Sequence, residues 1–262
     1  MVGVGVWGTI GMFSTVASAR LPRALGLSFV ACVGALSLAA CGGGGGNSAT
    51  NSAAASTPTH FVNAPADAKS PTLSANFVDF SFDYPSNWTV DPETGTATAS
   101  NFIKVERNDP SGLTIENFAV GEFKGTGDAD QDAAQMPDLL GQLEHQVSTL
   151  AGYKRVSTDE ATTVNGLSGY QLTFSATPQI GDKPGNLFGR MIIVPQPGTS
   201  KGVVLIMLGT DISGELHSVA DLGVKGQLPM ILNSFKFPAA APAADTNAAS
   251  SGDASSNSSS SE

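Results

Sequence analysis

Asp128-Ala129-Asp130-Gln131-Asp132 sets three carboxylates at positions one, three and five, the spacing with which a calcium-binding loop begins. That loop needs glycine at its sixth position and glutamate at its twelfth, and the chain has Ala133 and Leu139 there. An EF-hand is therefore excluded, and a solvated acidic approach to a helix accounts for the acids better than a looser cation site. Gly166-Leu167-Ser168-Gly169-Tyr170 matches a nucleophile elbow until Tyr170 replaces the second glycine. An elbow also needs a strand-to-helix turn, whereas Ser168 follows the hairpin pair Asn165-Gly166. Of the histidines, His60 falls in a segment read below as a tether, His145 on the polar side of a helix beside Glu144, and His217 in a second helical region. No two of them have metal-ligand spacing. Phe80, Phe82, Tyr84, Trp88, Tyr170, Phe174 and Phe188 could line a pocket, but at strand spacing such residues form core. The glycines Gly42 to Gly46 follow no strand and open no helix, so they do not form a phosphate loop. No catalytic, cofactor-binding or metal-ligating residue is assigned, and no cofactor is implied.

The 262-residue chain carries a formal net charge of −10, which disfavours nucleic acid or anionic headgroups as partners through general electrostatics. Its two cysteines are Cys32 and Cys41. Arg20 and Arg23 precede an apolar run from Ala24 to Ala40, the layout of an export signal. The run is diluted by Gly26, Ser28, Gly34 and Ser37 and has no charged stop-transfer cluster after it, which argues against a retained membrane span. Plain secretion with cleavage after an alanine remains a second reading. Met12 offers a start that gives a signal of ordinary length.

Leu38-Ala39-Ala40-Cys41 resembles the lipobox of bacterial lipoproteins. The resemblance implies cleavage before Cys41, which would then carry an S-diacylglyceryl and an N-acyl group. Residues 1–40 would be the signal peptide, and Cys32 would leave with it, so that no intramolecular disulfide could form. The implied partner is the membrane, reached through the lipid anchor. With Gly42 rather than aspartate after the cysteine, the implied location is the outer membrane in a diderm cell and the outer face of the plasma membrane in a monoderm one.

Residues 41–70 are rich in Gly, Ser, Ala, Thr, Asn and Pro and predict a disordered tether, and residues 239–262 predict a disordered tail. Between them, residues 71–238 form one domain. Val78, Phe80, Phe82 and Tyr84 alternate with polar residues and predict a strand over Phe77–Tyr84, stopped at Pro85-Ser86-Asn87, with Trp88 as a core plug. Short strands are expected at Thr96–Ser100, Phe102–Arg107 and Leu113–Val120, the last two joined by a turn at residues 108–112. Met136, Leu139, Leu140, Leu143, Val147 and Leu150 then form the apolar stripe of a helix, with Pro137 in its first turn and Gly152 at its end.

Strands at Tyr153–Val156 and Thr162–Val164 lead through Asn165-Gly166 to a strand carrying Tyr170, Leu172 and Phe174. A pair at Phe188–Val194 and Val203–Leu208 follows, the second apolar on both sides and so central. A second helical region over Ser213–Asn233 is interrupted by Gly223, Gly226 and Pro229, and Phe235 and Phe237 close the domain. Strands, helix, strands, helix is the order of an α+β fold, and a doubly wound parallel sheet is disfavoured. The predicted architecture is an α/β/α sandwich with a central, mostly antiparallel sheet covered by helices on both faces.

Three motifs then resemble those of PsbP-like domains: Phe80-Ser81-Phe82-Asp83-Tyr84-Pro85-Ser86-Asn87-Trp88, the hairpin Val164-Asn165-Gly166-Leu167 before Tyr170, and the closing Ile231-Leu232-Asn233-Ser234-Phe235. The resemblance spans Phe77 to Phe237, and the Mog, DcrB and LpqN-type proteins share that sandwich. It implies a binding or accessory role with an envelope protein as partner. The alternatives are a small-ligand or cation-binding lipoprotein and, behind it, an envelope hydrolase using Ser168.

Overall fold

A computed structural model describes residues 57–180 and 183–238. The expected signal peptide (residues 1–40), the expected start at Met12, the expected lipid attachment at Cys41, the first part of the expected tether and the expected tail (residues 239–262) lie outside the described residues. The chain runs through β1 (Pro58–Val62), α1 (Pro71–Ala75), β2 (Ser81–Pro85), β3 (Thr89–Val90), β4 (Ile103–Asn108), β5 (Thr114–Lys124) and α2 (Ala129–Val147). It continues through β6 (Lys154–Val164), β7 (Leu167–Ala176), β8 (Gln179–Ile180), β9 (Lys183–Pro184), β10 (Leu187–Pro195), β11 (Lys201–Thr210) and α3 (Leu228–Ser234).

The main sheet has the order β3-β4-β5-β11-β10-β7-β6, and each neighbouring pair is antiparallel. As its residue pattern requires, β11 is central: every residue from Gly202 to Thr210 is buried. Val203, Leu205 and Met207 enter one apolar layer, and Val204, Ile206 and Leu208 the other. The architecture is the α+β sandwich expected, covered on both faces.

Helix α2 covers one face. Met136, Leu139, Leu140, Leu143 and Val147 pack there with Phe123, Leu172, Phe174, Met191 and Ile193. Its N-cap Asp128 accepts the N–H groups of Asp130 and Gln131 at 3.1 and 2.9 Å. The helix begins at Ala129, so Pro137 lies in its interior and not in its first turn. An interior proline costs about 3 kcal/mol; Met136 and Leu140, both fully buried beside it, offset that at roughly 1.5–3 kcal/mol each.

The opposite face is covered by β1 paired with β2, by the short α1 and α3, and by two 3-10 turns at Asp211–Ser213 and Val219–Asp221. Phe80, Phe82, Trp88, Leu228, Ile231, Leu232 and Phe235 fill this layer. Helix α3 is stitched to β2 where Ser234 Oγ accepts the Asp83 N–H at 2.8 Å. Trp88 is a core plug as expected, 4% exposed, with its Nε1 donating to Gln227 Oε1 at 2.6 Å.

Several local expectations are corrected. The tether does not extend to residue 70: Pro58–Val62 is a strand in register with β2, and the Phe61 ring lies tilted by 43° at 5.4 Å from Phe82 and 6.0 Å from Phe80. Asn63, buried, donates to the Val78 carbonyl at 2.7 Å. The segment contributes backbone pairing and one aromatic ring, which an average over its small polar residues hides. Thr96–Ser100 is a series of turns in which Thr96 Oγ1 donates to the Glu93 carbonyl at 2.8 Å, so local side-chain bonds replace a ladder. The paired part of the first aromatic strand is Ser81–Pro85.

The two strands expected between Tyr153 and Val164 are one, β6, with register shifts between Arg155 and Ser157 and between Ser157 and Glu160. Asn165 and Gly166 turn the hairpin at φ 46° and 80°. The second helical region is broken at Gly214, Gly223 and Gly226, with φ of 69°, 80° and 70°, and Pro229 opens α3.

A chain shortened to begin at Pro71 is expected to lose about 2 kcal/mol with Phe61 and the β1 pairing, measured as thermal unfolding against a chain beginning at Thr57. Equal melting would show that β1 adds nothing. Trp88→Ala is expected to destabilise by about 3–5 kcal/mol in denaturant unfolding.

Candidate functional site

The acids and nucleophile singled out by spacing are not brought together. Asp128 caps α2. Asp132, buried, accepts from the N–H and the hydroxyl of Thr126 at 2.6 and 2.8 Å, and Gly125 leaves it room, since a Cβ there would lie 2.6 Å from Asp132 Oδ2. Asp130 is exposed. Among the described residues no three His, Cys, Asp or Glu side chains are placed to hold a metal ion. Ser168 is exposed at the start of β7 opposite Thr163. His145 and His217 are exposed on α2 and before the second 3-10 turn. His60 stands on β1, its Nδ1 2.6 Å from Asp83 Oδ1. Phe80, Phe82, Phe174 and Phe188 are core, whereas Tyr84 and Tyr170 are half-buried at its margin.

Two arginines on the face opposite α2 stand out instead. Arg107 is on β4, two residues beyond Val105, and points into the same layer. Its Nη1 donates to Glu116 Oε2 at 3.0 Å and to Glu215 Oε2 at 2.9 Å, and its Nη2 to Glu215 Oε1 at 3.2 Å. The Glu116 side chain has no exposed surface, and its Oε1 has no hydrogen-bond partner. Burial raises the Glu116 carboxyl above the ordinary glutamate value, against the lowering pull of Arg107, and nearby Glu215 adds to the rise. Gly226 closes over the pair: a Cβ would lie 2.8 Å from Glu215 Oε2 and 3.4 Å from Glu116 Oε1. The loop after β11 is thus fastened to β4 and β5 by one guanidinium, and to Trp88 through Gln227.

Arg190 sits under the same loop on β10, between the buried Phe188 and Ile192 of its own face. Its Nε donates to Gln171 Oε1 at 2.8 Å and its Nη2 to Thr162 Oγ1 at 3.2 Å. Both acceptors are neutral. Around it the face turns polar across β7 and β6: Thr173 Oγ1 donates to Ser157 Oγ at 2.8 Å, and Gln171 Nε2 to Glu160 Oε2 at 3.3 Å. The guanidinium is half-buried, and desolvation draws it below the ordinary arginine value with no carboxylate raising it back. Gly223, with φ 80°, passes over it, where a Cβ would lie 3.2 Å from Nη1. Asp221 nearby is taken up by Lys225 at 2.8 Å and by the N–H groups of His217 and Ser218, which hold its carboxyl down to about 2.

Spacing rules for known motifs pass over both arginines. The signal that could have found them is a charge at a position where strand alternation calls for core: Arg190 between Phe188 and Ile192, and Glu116 before Phe118 and Val120.

No protein-family profile and no curated protein sequence matches the chain. Among solved structures it is similar to LpqN of Mycobacterium tuberculosis, described as involved in cell envelope biogenesis, at 16% identity over 60% of this chain and 81% of that one, with a TM-score of 0.37. It is also similar to the Saccharomyces cerevisiae Ran-binding protein Mog1p, at 10% identity over 70% and 96% of the two chains, with a TM-score of 0.39. A Pseudomonas aeruginosa protein of unknown function matches at 13% identity over 50% and 78%, with a TM-score of 0.30. At these scores the likenesses assign neither family nor activity.

Arg107→Ala leaves two carboxylates facing each other without a cation and is expected to cost about 3–5 kcal/mol of stability in denaturant unfolding. Glu116 holds its proton to higher pH in the folded than in the unfolded chain. Its contribution to stability is therefore full at low pH and is lost as pH rises from the ordinary glutamate value through the raised folded one. Glu116→Gln is expected to remove that decline, seen as a flatter curve of stability against pH than that of the parent chain.

Proposed function

We propose that this chain is a lipid-anchored, non-catalytic binding protein of the cell envelope, fixed to the membrane through Cys41 and working as an accessory or assembly factor with an envelope partner. The observation that supports binding is the polar end of the sheet face around Arg190, a charged group set at a core position with no countercharge among the described residues. Burying a charge without an opposite charge is costly, and that cost is met if the group binds a ligand. The anchor rests on Leu38-Ala39-Ala40-Cys41, and attachment through acyl chains is what would hold a domain whose described helices are not long and apolar enough to cross a membrane. The cation-binding alternative loses its support where Asp128 and Asp132 serve as cap and loop acceptor, and the hydrolase alternative where Ser168 stands at an exposed strand end.

Cys41→Ser is expected to move the protein from the membrane fraction to the soluble fraction, or to accumulate an uncleaved precursor, when cells are fractionated. A processed Ser variant that stays with membranes refutes lipid anchoring. Affinity capture from detergent-solubilised envelope is expected to retain a partner with the parent chain and none with an unrelated lipid-anchored domain; equal retention by both refutes a specific partner.

A further inference from the structure

We infer that Arg190 is the anchor of a carboxylate-binding site, taking a small organic acid whose charge sits on an apolar stem. This deepens the binding reading above and rests on it, but is independent of the anchor.

A guanidinium carries five N–H donors in a flat fork and has no neutral form to retreat to. In Arg190 the described residues engage Nε and Nη2, and Nη1 makes no hydrogen bond to any of them. Arg107, on the same face of the same sheet, shows what this fold does with a guanidinium whose role is internal: it surrounds the group with two carboxylates. Acids are not scarce, 23 against 13 basic residues, and two lie close by, yet each is turned elsewhere. Glu160 accepts from Gln171, and Asp221 is held by Lys225 and by backbone N–H groups. Arg190 is therefore held in place by neutral acceptors with its charge unspent.

The fork selects the ligand. Nη1 together with the remaining Nη2 hydrogen matches the two oxygens of a carboxylate, the pairing in which arginine exceeds lysine. Above Nη1 the loop has Gly223, which brings no side chain over the fork, and the residue after it in the chain, Val224, is apolar and 70% exposed. A charged head at Arg190 with an aliphatic stem against Val224 is the complement of that surface.

The test is a titration of the full chain in detergent micelles with sodium butyrate, followed at the arginine Nε–Hε NMR signals. Butyramide serves as the uncharged control and inorganic phosphate as the competing oxyanion. Butyrate is expected to shift the Arg190 signal saturably, and butyramide not at all. Arg190→Lys, which keeps the charge but loses the fork, is expected to weaken binding about tenfold. Should Arg190 variants fold poorly, Val224→Asp puts a fixed negative charge at that exposed position, and it is expected to weaken butyrate several-fold with an unchanged melting curve. Saturable butyrate binding that survives Arg190→Gln or Val224→Asp overturns the site. Phosphate binding as tightly as butyrate overturns the carboxylate assignment, and no shift with butyrate does the same. In each of these cases the envelope capture experiment still decides separately whether the chain is a binding protein.

Discussion

Val203, Leu205 and Met207 leave one side of β11 while Val204, Ile206 and Leu208 leave the other, and neither set has solvent to face. At roughly 1.5–3 kcal/mol for each such side chain buried, a single covering layer would forfeit about half of what this strand contributes. The rest of the fold answers that demand. A long amphipathic helix, α2, closes one side. Among the described residues the other has no helix of comparable length, and its cover is assembled from pieces: the β1–β2 pair, two short helices and the 3-10 turns after β11. The piecewise layer is why the first strand is needed at all, and why the loop from Asp211 to Gln227 lies against the sheet.

That second layer is also where the charges are. A continuous helix would have presented an apolar stripe; a loop broken at three glycines brings backbone and short side chains to the sheet and leaves room for Arg107, Glu116, Glu215 and Arg190. The two arginines divide the work. Arg107 ties the near end of the loop to β4 and β5, with Trp88 and Gln227 as a second fastening, and so fixes the position of Gly223 over Arg190. The internal ion pair and the polar end of the face are parts of one arrangement, the first setting the height of the roof over the second.

Much of the frame was legible in the chain because it is written in periodicity. The stripe from Met136 to Val147, the two-sided strand Val203–Leu208 and the pair Asn165-Gly166 each have one physical reading, and the structure has those elements there. What escaped did so for particular reasons. Strand β1 draws on backbone pairing and a single ring, Phe61, within a segment whose composition looks unfoldable. Thr96–Ser100 has strand-forming residues whose hydroxyls bond locally instead. Pro137 reads as a helix start because a proline is most easily placed there, and only the burial of its neighbours carries the helix through it. The candidate site escaped for a different reason. Arg190 matches no motif, and its neutral partners, Gln171 and Thr162, are brought to it by strand pairing across β7 and β6.

The two outer strands of the main sheet end it in different ways. β3 is two residues long, and β6 shifts register twice between Arg155 and Glu160. A neighbouring copy looking for a straight row of free amides and carbonyls finds too short a row on one side and a kinked one on the other. Many copies could therefore be crowded together without their sheets joining edge to edge into a fibre, and association between them has to go through side chains.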